Sequence, residues 1–277
     1  MVILNGALVA EENTSVSIQN RGFKYGDSIF ETIKVANGKV IFWEEHYFRL
    51  MASMRMLRMK IPMEFTLEFL EEKILKLTNE HKSSSNEFRV RLTVFREDGG
   101  FYTPETNSIN YLIEASPLNY ITKTDYKVDV YKDFYHYSGL LSTVKTNNKM
   151  LNTLASIFAK ENDLDNCILI NENKGVVEVT NGNIFILKDN VVKTPAITEG
   201  CIKGVIRKKL IEVLQKNEEY KIEETSISPF EVQKADEVFI TNAIIGIQPV
   251  TQYKKKKLKV DFSLKLAKNL TVLEFTN

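Results

Sequence analysis

Cysteine is nearly absent from this chain, at two residues in 277, Cys167 and Cys201. Both sit in apolar or mixed stretches, NCILI and EGCIKGV, with no metal-ligand spacing between them. That argues against a disulfide framework and reads as two plain thiols in a reduced, cytoplasmic setting. Histidine is as scarce. His46, His81 and His136 are far apart in sequence, so a histidine-based metal site has no local support and no metal is expected. An excess of one charge is also missing, since 37 Lys and Arg against 36 Asp and Glu leave +1. No global field exists to hold nucleic acid or an anionic membrane, and any anion has to be bound by a local site. No run approaches the roughly 20 apolar residues of a membrane span. The opening, MVILNGALVAEENTSV, has neither the basic start nor the apolar core of a secretory signal. The common phosphate-loop, dinucleotide, nucleophile-elbow, HExxH and CxxC motifs are all lacking.

What is present is an ordinary globular mixture, 43% hydrophobic and 26% charged. Asn5-Gly6 divides VIL from ALVA, and Asn37-Gly38 divides FETIKVA from KVIFW, two hairpin signals. The period then changes, and helices are predicted over about 46–59 and 65–77. The methionines at 51, 54, 56 and 59 read as core filler. A polar loop, HKSSSNE, precedes strands FRVRLTVF and INYLIEA, and SPLNYITKT is the best linker. Beyond it come strand YKVDVY, a helix from about 148 to 163, strands CILIN and NIFIL, a helix from about 203 to 216, and strand EVFIT. Lys254–Lys257 abuts the strand-like LKVDF and reads as a solvated turn or edge, and a last helix spans about 263–275. The pattern is α+β in two domains, 1–118 and 119–277, joined near 116–122.

Three places carry chemistry. In TPAITEGCIKGVIRKKL, Gly204 at a helix entry permits close backbone approach, and the amides of Val205 and Ile206 form an anion site. Taken alone this is an ordinary helix start. Thr241-Asn242-Ala243, after strand EVFIT, is a second turn able to donate to the same anion. Lys145 and Lys149 precede the helix near 148. Lys145 follows the apolar LLSTV, so its amine can project inward and act as a nucleophile. Glu178 is an acid among apolar neighbours in GVVEVTNGNIF, which alone would be an exposed strand position.

Together these residues resemble the fold-type IV pyridoxal-phosphate enzymes, which include branched-chain aminotransferases, D-amino-acid aminotransferases and aminodeoxychorismate lyases. NRGFKYGDSIFETIKVANGKVIFWEEHYFRL resembles the first signature, with its RGxxxGD turn, its F-E pair and its HxxRL helix. The stretch EVTNGNIF…TP…IKGVIR, from Glu178 to Arg207, resembles the second. The resemblance implies a small N-terminal α/β domain and a larger C-terminal mixed, β-barrel-like domain with helices. It also implies pyridoxal 5′-phosphate as cofactor, a site at the junction of the domains, and a homodimer with an isologous interface. Lys145 would carry the cofactor and move the proton, and Glu178 would face the ring nitrogen. Arg49 would face the phosphate, with Asn183, Gly204, Val205, Ile206, Asn242 and Ala243 completing the cofactor site. Lys145 lies 33 residues before Glu178 and Lys149 lies 29, and the longer spacing fits the family without a deletion in the helix.

No subgroup's pattern is matched in full. Phe30 stands where D-amino-acid enzymes carry tyrosine, and no R-x-H pair follows the RLTVF strand. Thr32 and Lys34 replace the glycine and arginine of the branched-chain pattern, and the lyase arginine near Phe101 is missing. Phe30, Arg91 and Arg96 are the substrate candidates. The expected activity is transamination between an amino acid, with branched-chain donors among the candidates, and a 2-oxo acid. Aminodeoxychorismate lyase is the alternative, and a non-catalytic cofactor-binding protein is the second.

Overall fold

Asn5 and Gly6 have φ of 47° and 83°, and Asn37 and Gly38 have 51° and 74°. These are the paired positive values that a type I′ hairpin turn requires. The computed structural model describes residues 1–276 apart from 82, 84 and 121, so Lys82 and Ser84 of the polar loop and Ile121 of the linker lie outside the described residues. The chain divides into two units, Met1–Tyr120 with Lys145–Asn148, and Ile121–Val144 with Lys149–Asn277.

The first unit comprises β1 (Val2–Leu4), β2 (Ala7–Val9), α1 (Arg21–Tyr25), β3 (Ser28–Ala36), β4 (Lys39–Val40), α2 (Trp43–Met56), α3 (Leu67–Asn79), β5 (Glu87–Arg96) and β6 (Ile109–Pro117). Its strands form one antiparallel sheet in the order β2-β1-β6-β5-β3-β4. Along β5 every second residue, from Phe88 to Val94, is buried, the period-2 pattern of a sheet covered on one face. Helix α2 packs on β3 and α3 on β6, burying stripes that include Leu50, Met51 and Met54, and Leu70, Ile74 and Leu77. Met59 is buried too, but Met56 is 40% exposed, so the core-filler reading fails for it. Its position turns it off the stripe that Met51 and Met54 share.

Four residues return to this sheet from far along the chain. Phe30 N donates to Lys145 O (2.9 Å), Asn147 N donates to Ser28 O (3.0 Å), and Ile29 pairs with Thr146. The segment Lys145–Asn148 therefore lies along the edge of β3 that β5 leaves open. Assignment of all residues after 118 to the second domain did not anticipate this return.

The second unit comprises β7 (Lys127–Val130), α4 (Met150–Glu161), β8 (Asn166–Ile170), β9 (Val176–Val179), β10 (Asn183–Lys188), β11 (Val191–Pro195), α5 (Val205–Gln215), β12 (Lys221–Thr225), α6 (Pro229–Lys234), β13 (Glu237–Asn242), β14 (Gly246–Val250), β15 (Gln252–Tyr253), β16 (Lys256–Lys257) and α7 (Asp261–Thr276). Two five-stranded sheets result, β12-β11-β10-β13-β14 and β16-β15-β7-β8-β9. Both are mixed, because β11 pairs with β12, and β7 with β8 and β15, in parallel. Residues of both sheets, among them Val128, Ile168, Val179, Ile184 and Ile240, share one core. The run NCILI is buried throughout because Ile168 and Ile170 join that core while Cys167 and Leu169 join another with Ala155 and Ala159 of α4.

LKVDF is not a strand. Buried Glu237 receives the amides of Phe262 (2.8 Å) and Ser263 (2.9 Å), and a carboxylate placed against free helix amides starts α7 at Asp261. Of the lysine run, Lys254 takes a left-handed turn conformation and Lys256–Lys257 form the edge strand β16. Among the described residues no helix is long and apolar enough to cross a membrane.

Candidate active site

The second unit builds an anion cradle. Helix α5 starts at Val205 with Gly204 as its cap residue, and among the described residues no side chain caps it. A Cβ on Gly204 would collide with Asn183 Oδ1, so glycine here lets the helix start press against the head of β10. Asn183 secures that approach by donating to Ile202 O (2.9 Å). Its strand partner across β10 and β13 is Thr241, whose buried hydroxyl has no hydrogen-bond partner among the described residues. Uncapped helix amides beside an unpartnered hydroxyl make a place for phosphate. Asn242 enters differently from the expectation. Its Oδ1 accepts from Ile244 N (3.0 Å) and Ile245 N (2.9 Å), and its Nδ2 donates to Asn181 O (3.0 Å). The side chain holds the turn that carries Ala243, and Thr241 is the side-chain donor left for a ligand.

Glu178 is on β9 at 3% exposure, which removes the exposed-strand reading. Its Oε2 accepts from Ile202 N at 3.0 Å, the residue whose carbonyl Asn183 holds, so Glu178 and the cradle share one support. In the same unit, burial pushes the Lys149 amine below its ordinary value, and the Glu178 carboxylate works in the opposite direction. Burial likewise lowers His136, on which Glu178 and Lys149 act with opposite signs. Both thiols are buried and pushed up to about 12 by that burial, Cys201 with some relief from Arg207. Thiols held that high are inert.

The first unit carries the remaining candidates. Arg49, on α2, grips Glu31 of β3 through Nε to Oε1 (2.8 Å) and Nη2 to Oε2 (2.5 Å), and His46 Nδ1 meets Oε2 at 2.7 Å. Burial pushes the Glu31 carboxyl up, but Arg49 and His46 outweigh it and hold it at about 2. Burial pushes His46 down, and Glu31 only partly restores it. Phe30 is 9% exposed, with the Arg91 guanidinium 3.8 Å and the Lys145 amine 4.4 Å from its ring centroid. Thr93 and Asn147 hold Arg91, by Nε to Oγ1 (3.2 Å) and Nη2 to Oδ1 (2.8 Å).

Arg96 is a correction. It is buried, and its nitrogens bond Asp27 (2.9 Å), Asn107 (2.5 Å), Leu57 O (2.8 Å) and Arg58 O (3.4 Å). Asp27 also receives Arg21 at 2.9 Å. The guanidinium is spent on closing loops and has no fork left for a substrate. The structure thus joins Arg49 with Glu31 and His46, joins Phe30 with Arg91 and Lys145, and joins Glu178, Asn183, Gly204, Val205 and Thr241. Sequence reasoning assigned no role to Glu31, His46 or Asn147, while Thr241 was named only as part of the donor turn 241–243. The F-E pair and the HxxRL helix were the visible signal for the first two.

Glu31 and His46 contribute to the acid limb of stability. A carboxyl at about 2 in the fold, against 4.5 ordinarily, stabilises above pH 4.5 and loses that contribution as pH falls toward 2. A histidine held below 6.5 stabilises above pH 6.5 and loses it on acidification below that value. Urea unfolding midpoints should fall from pH 7 to 5, and His46→Gln should flatten that limb except for the share contributed by His136. A limb unchanged in the variant would show that His46 is not held neutral.

A buried acid, a desolvated amine and an open phosphate cradle are the parts that a pyridoxal-phosphate enzyme requires, and this donor set fits that group. Val205, Ile206 and Thr241 suit its phosphate and Glu178 suits its ring nitrogen. The family described as amino-transferase class IV matches residues 28–253. A putative branched-chain-amino-acid aminotransferase of Methanocaldococcus jannaschii is 30% identical over 251 residues, covering 90% of this chain and 86% of that one. An aminodeoxychorismate lyase of Vibrio harveyi is 27% identical, covering 93% and 94%. The branched-chain aminotransferase structure from Thermoproteus uzoniensis superposes with a TM-score of 0.90 at 22% identity, covering 99% of this chain and 94% of that one. The chain belongs to the class IV aminotransferases, which use pyridoxal phosphate. The non-catalytic alternative is therefore set aside, and amino-group transfer is the chemistry of this chain.

Proposed function

We propose that Lys145 carries the cofactor and shuttles the proton, that Glu178 faces its ring nitrogen, and that Arg91 binds the carboxylate of an α-amino acid donor. One observation supports this reading above others. The Lys145 amine and the Arg91 guanidinium stand on the same ring, Phe30. A nucleophilic amine and a carboxylate-binding fork so close together match the two ends of an α-amino acid. Arg91 is half-buried and held by Thr93 and Asn147, so its fork is set before a ligand arrives. Phe30, expected as an apolar wall, has the Arg91 guanidinium and the Lys145 amine against its ring, and the guanidinium favours an anionic group there. Arg49, Asn183, Gly204, Val205, Ile206 and Thr241 bind the phosphate, with Asn242 and Ala243 shaping the turn. When bound, pyridoxal phosphate supplies an electron sink for the Cα carbanion. Lys145 would hold that group and move the proton at Cα, and Glu178 would keep a proton on the ring nitrogen. The family resemblance further supports a cytoplasmic homodimer.

The lyase relative keeps β-elimination chemistry as the second reading. One half-reaction separates the two. Loaded protein mixed with an amino acid and no oxo acid should release one equivalent of 2-oxo acid per site and leave pyridoxamine phosphate. If no amino acid of either hand does this, while aminodeoxychorismate yields pyruvate with the cofactor unchanged, the transaminase reading falls.

A further inference from the structure

Glu31 is an expensive residue to bury. It sits inside β3 at 1% exposure, and an isolated carboxylate there would cost several kcal/mol. Both oxygens are used, Oε1 by Arg49 Nε and Oε2 by Arg49 Nη2 and His46 Nδ1. His46 and Arg49 stand three residues apart on α2, so they meet the same strand from one helix face. A bidentate fork fixes the plane of a guanidinium as well as its position. The hydrogen bond from His46 in turn fixes the Glu31 carboxylate, because a neutral imidazole can donate from Nδ1. Apolar residues at 31 and 46 would hold α2 on the sheet without this cost, so the arrangement is built for the arginine.

We propose that Glu31 and His46 are positioning residues that aim Arg49 at the cofactor's phosphate. This rests on the cofactor reading above. Glu31 places a negative charge beside an arginine meant for an anion, so orientation and charge act in opposite directions here. If orientation dominates, removing the charge weakens phosphate binding; if charge dominates, removing it strengthens binding.

The test compares two ligands on cofactor-free protein, pyridoxamine 5′-phosphate and unphosphorylated pyridoxamine, followed by quenching of Trp43 fluorescence. Glu31→Gln should weaken the phosphorylated ligand by about 30-fold and leave the other within about threefold, as expected for losing one charge-assisted bidentate contact. His46→Gln, which keeps a donor, should show a smaller loss of the same selectivity, and it carries the test if Glu31→Gln does not fold. Equal weakening of both ligands, no change, or tighter binding of the phosphorylated ligand would overturn the proposal. Wild-type protein that binds neither ligand would instead overturn the cofactor reading.

Discussion

Lys145→Ala protein should fold, bind pyridoxal phosphate reversibly and lose turnover on the order of 10⁵-fold or more, the scale of removing a covalent nucleophile. Lys145 O accepts from Phe30 N, and Asn147 N donates to Ser28 O, so main-chain bonds on both sides fix the strand that presents the amine. Alanine keeps those bonds, and the fold should survive. The second lysine makes the experiment decisive. Lys149 is the cap residue of α4, and burial lowers its amine in the unit that also holds Glu178. A desolvated amine is a competent nucleophile, so chemistry alone does not choose between the two. Borohydride reduction followed by peptide mapping does. The cofactor should be fixed on Lys145 in the wild type. A label on Lys149, or near-normal turnover in Lys145→Ala, would transfer the covalent role to Lys149.

The two candidates differ in what the sequence could reveal. Spacing to Glu178 is written in the chain and favours Lys145. The return of Lys145–Asn148 to the first sheet is carried by main-chain hydrogen bonds, which any residues can make, and leaves no pattern to read. The same division runs through the rest of the molecule. The Asn-Gly hairpins were legible because positive φ at two successive residues demands them. Helices α2, α3, α4 and α5 were legible from apolar stripes at helical spacing. Strand β12, KIEET, is polar and pairs in parallel at a sheet edge, so it has no apolar alternation to give it away. LKVDF has strand-like alternation, and only the distant Glu237 turns part of it into a helix start. Arg96 looked available because its partners, Asp27, Asn107 and the carbonyls of Leu57 and Arg58, are separated from it by 11 to 69 residues. Residue type can mark a candidate cation. Only the fold shows whether its fork is already occupied.

Glu178→Gln should keep the cofactor and lose kcat on the order of 10³-fold, ~4 kcal/mol of transition-state stabilisation. The substitution is nearly isosteric, and the glutamine carbonyl can still accept from Ile202 N, where the carboxylate now accepts at 3.0 Å. The cradle support shared with Asn183 should therefore remain, and cofactor affinity should change little. What is lost is the negative charge. A neutral amide does not keep a proton on the ring nitrogen, so charge developing at Cα has no positive centre to flow toward. At 3% exposure, water does not replace that charge. The loss should therefore fall on kcat, with the KM for the amino donor little changed, since the charge matters in the transition state more than in binding. A second effect is confined to the same unit. Lys149 loses the opposite charge that works against its desolvation, so its amine should become neutral at lower pH in the variant. The amine-modification rate of Lys149 against pH reports that shift without reference to turnover. Near-normal kcat in Glu178→Gln would show that the ring nitrogen has another partner, and the assignment of Glu178 would be withdrawn.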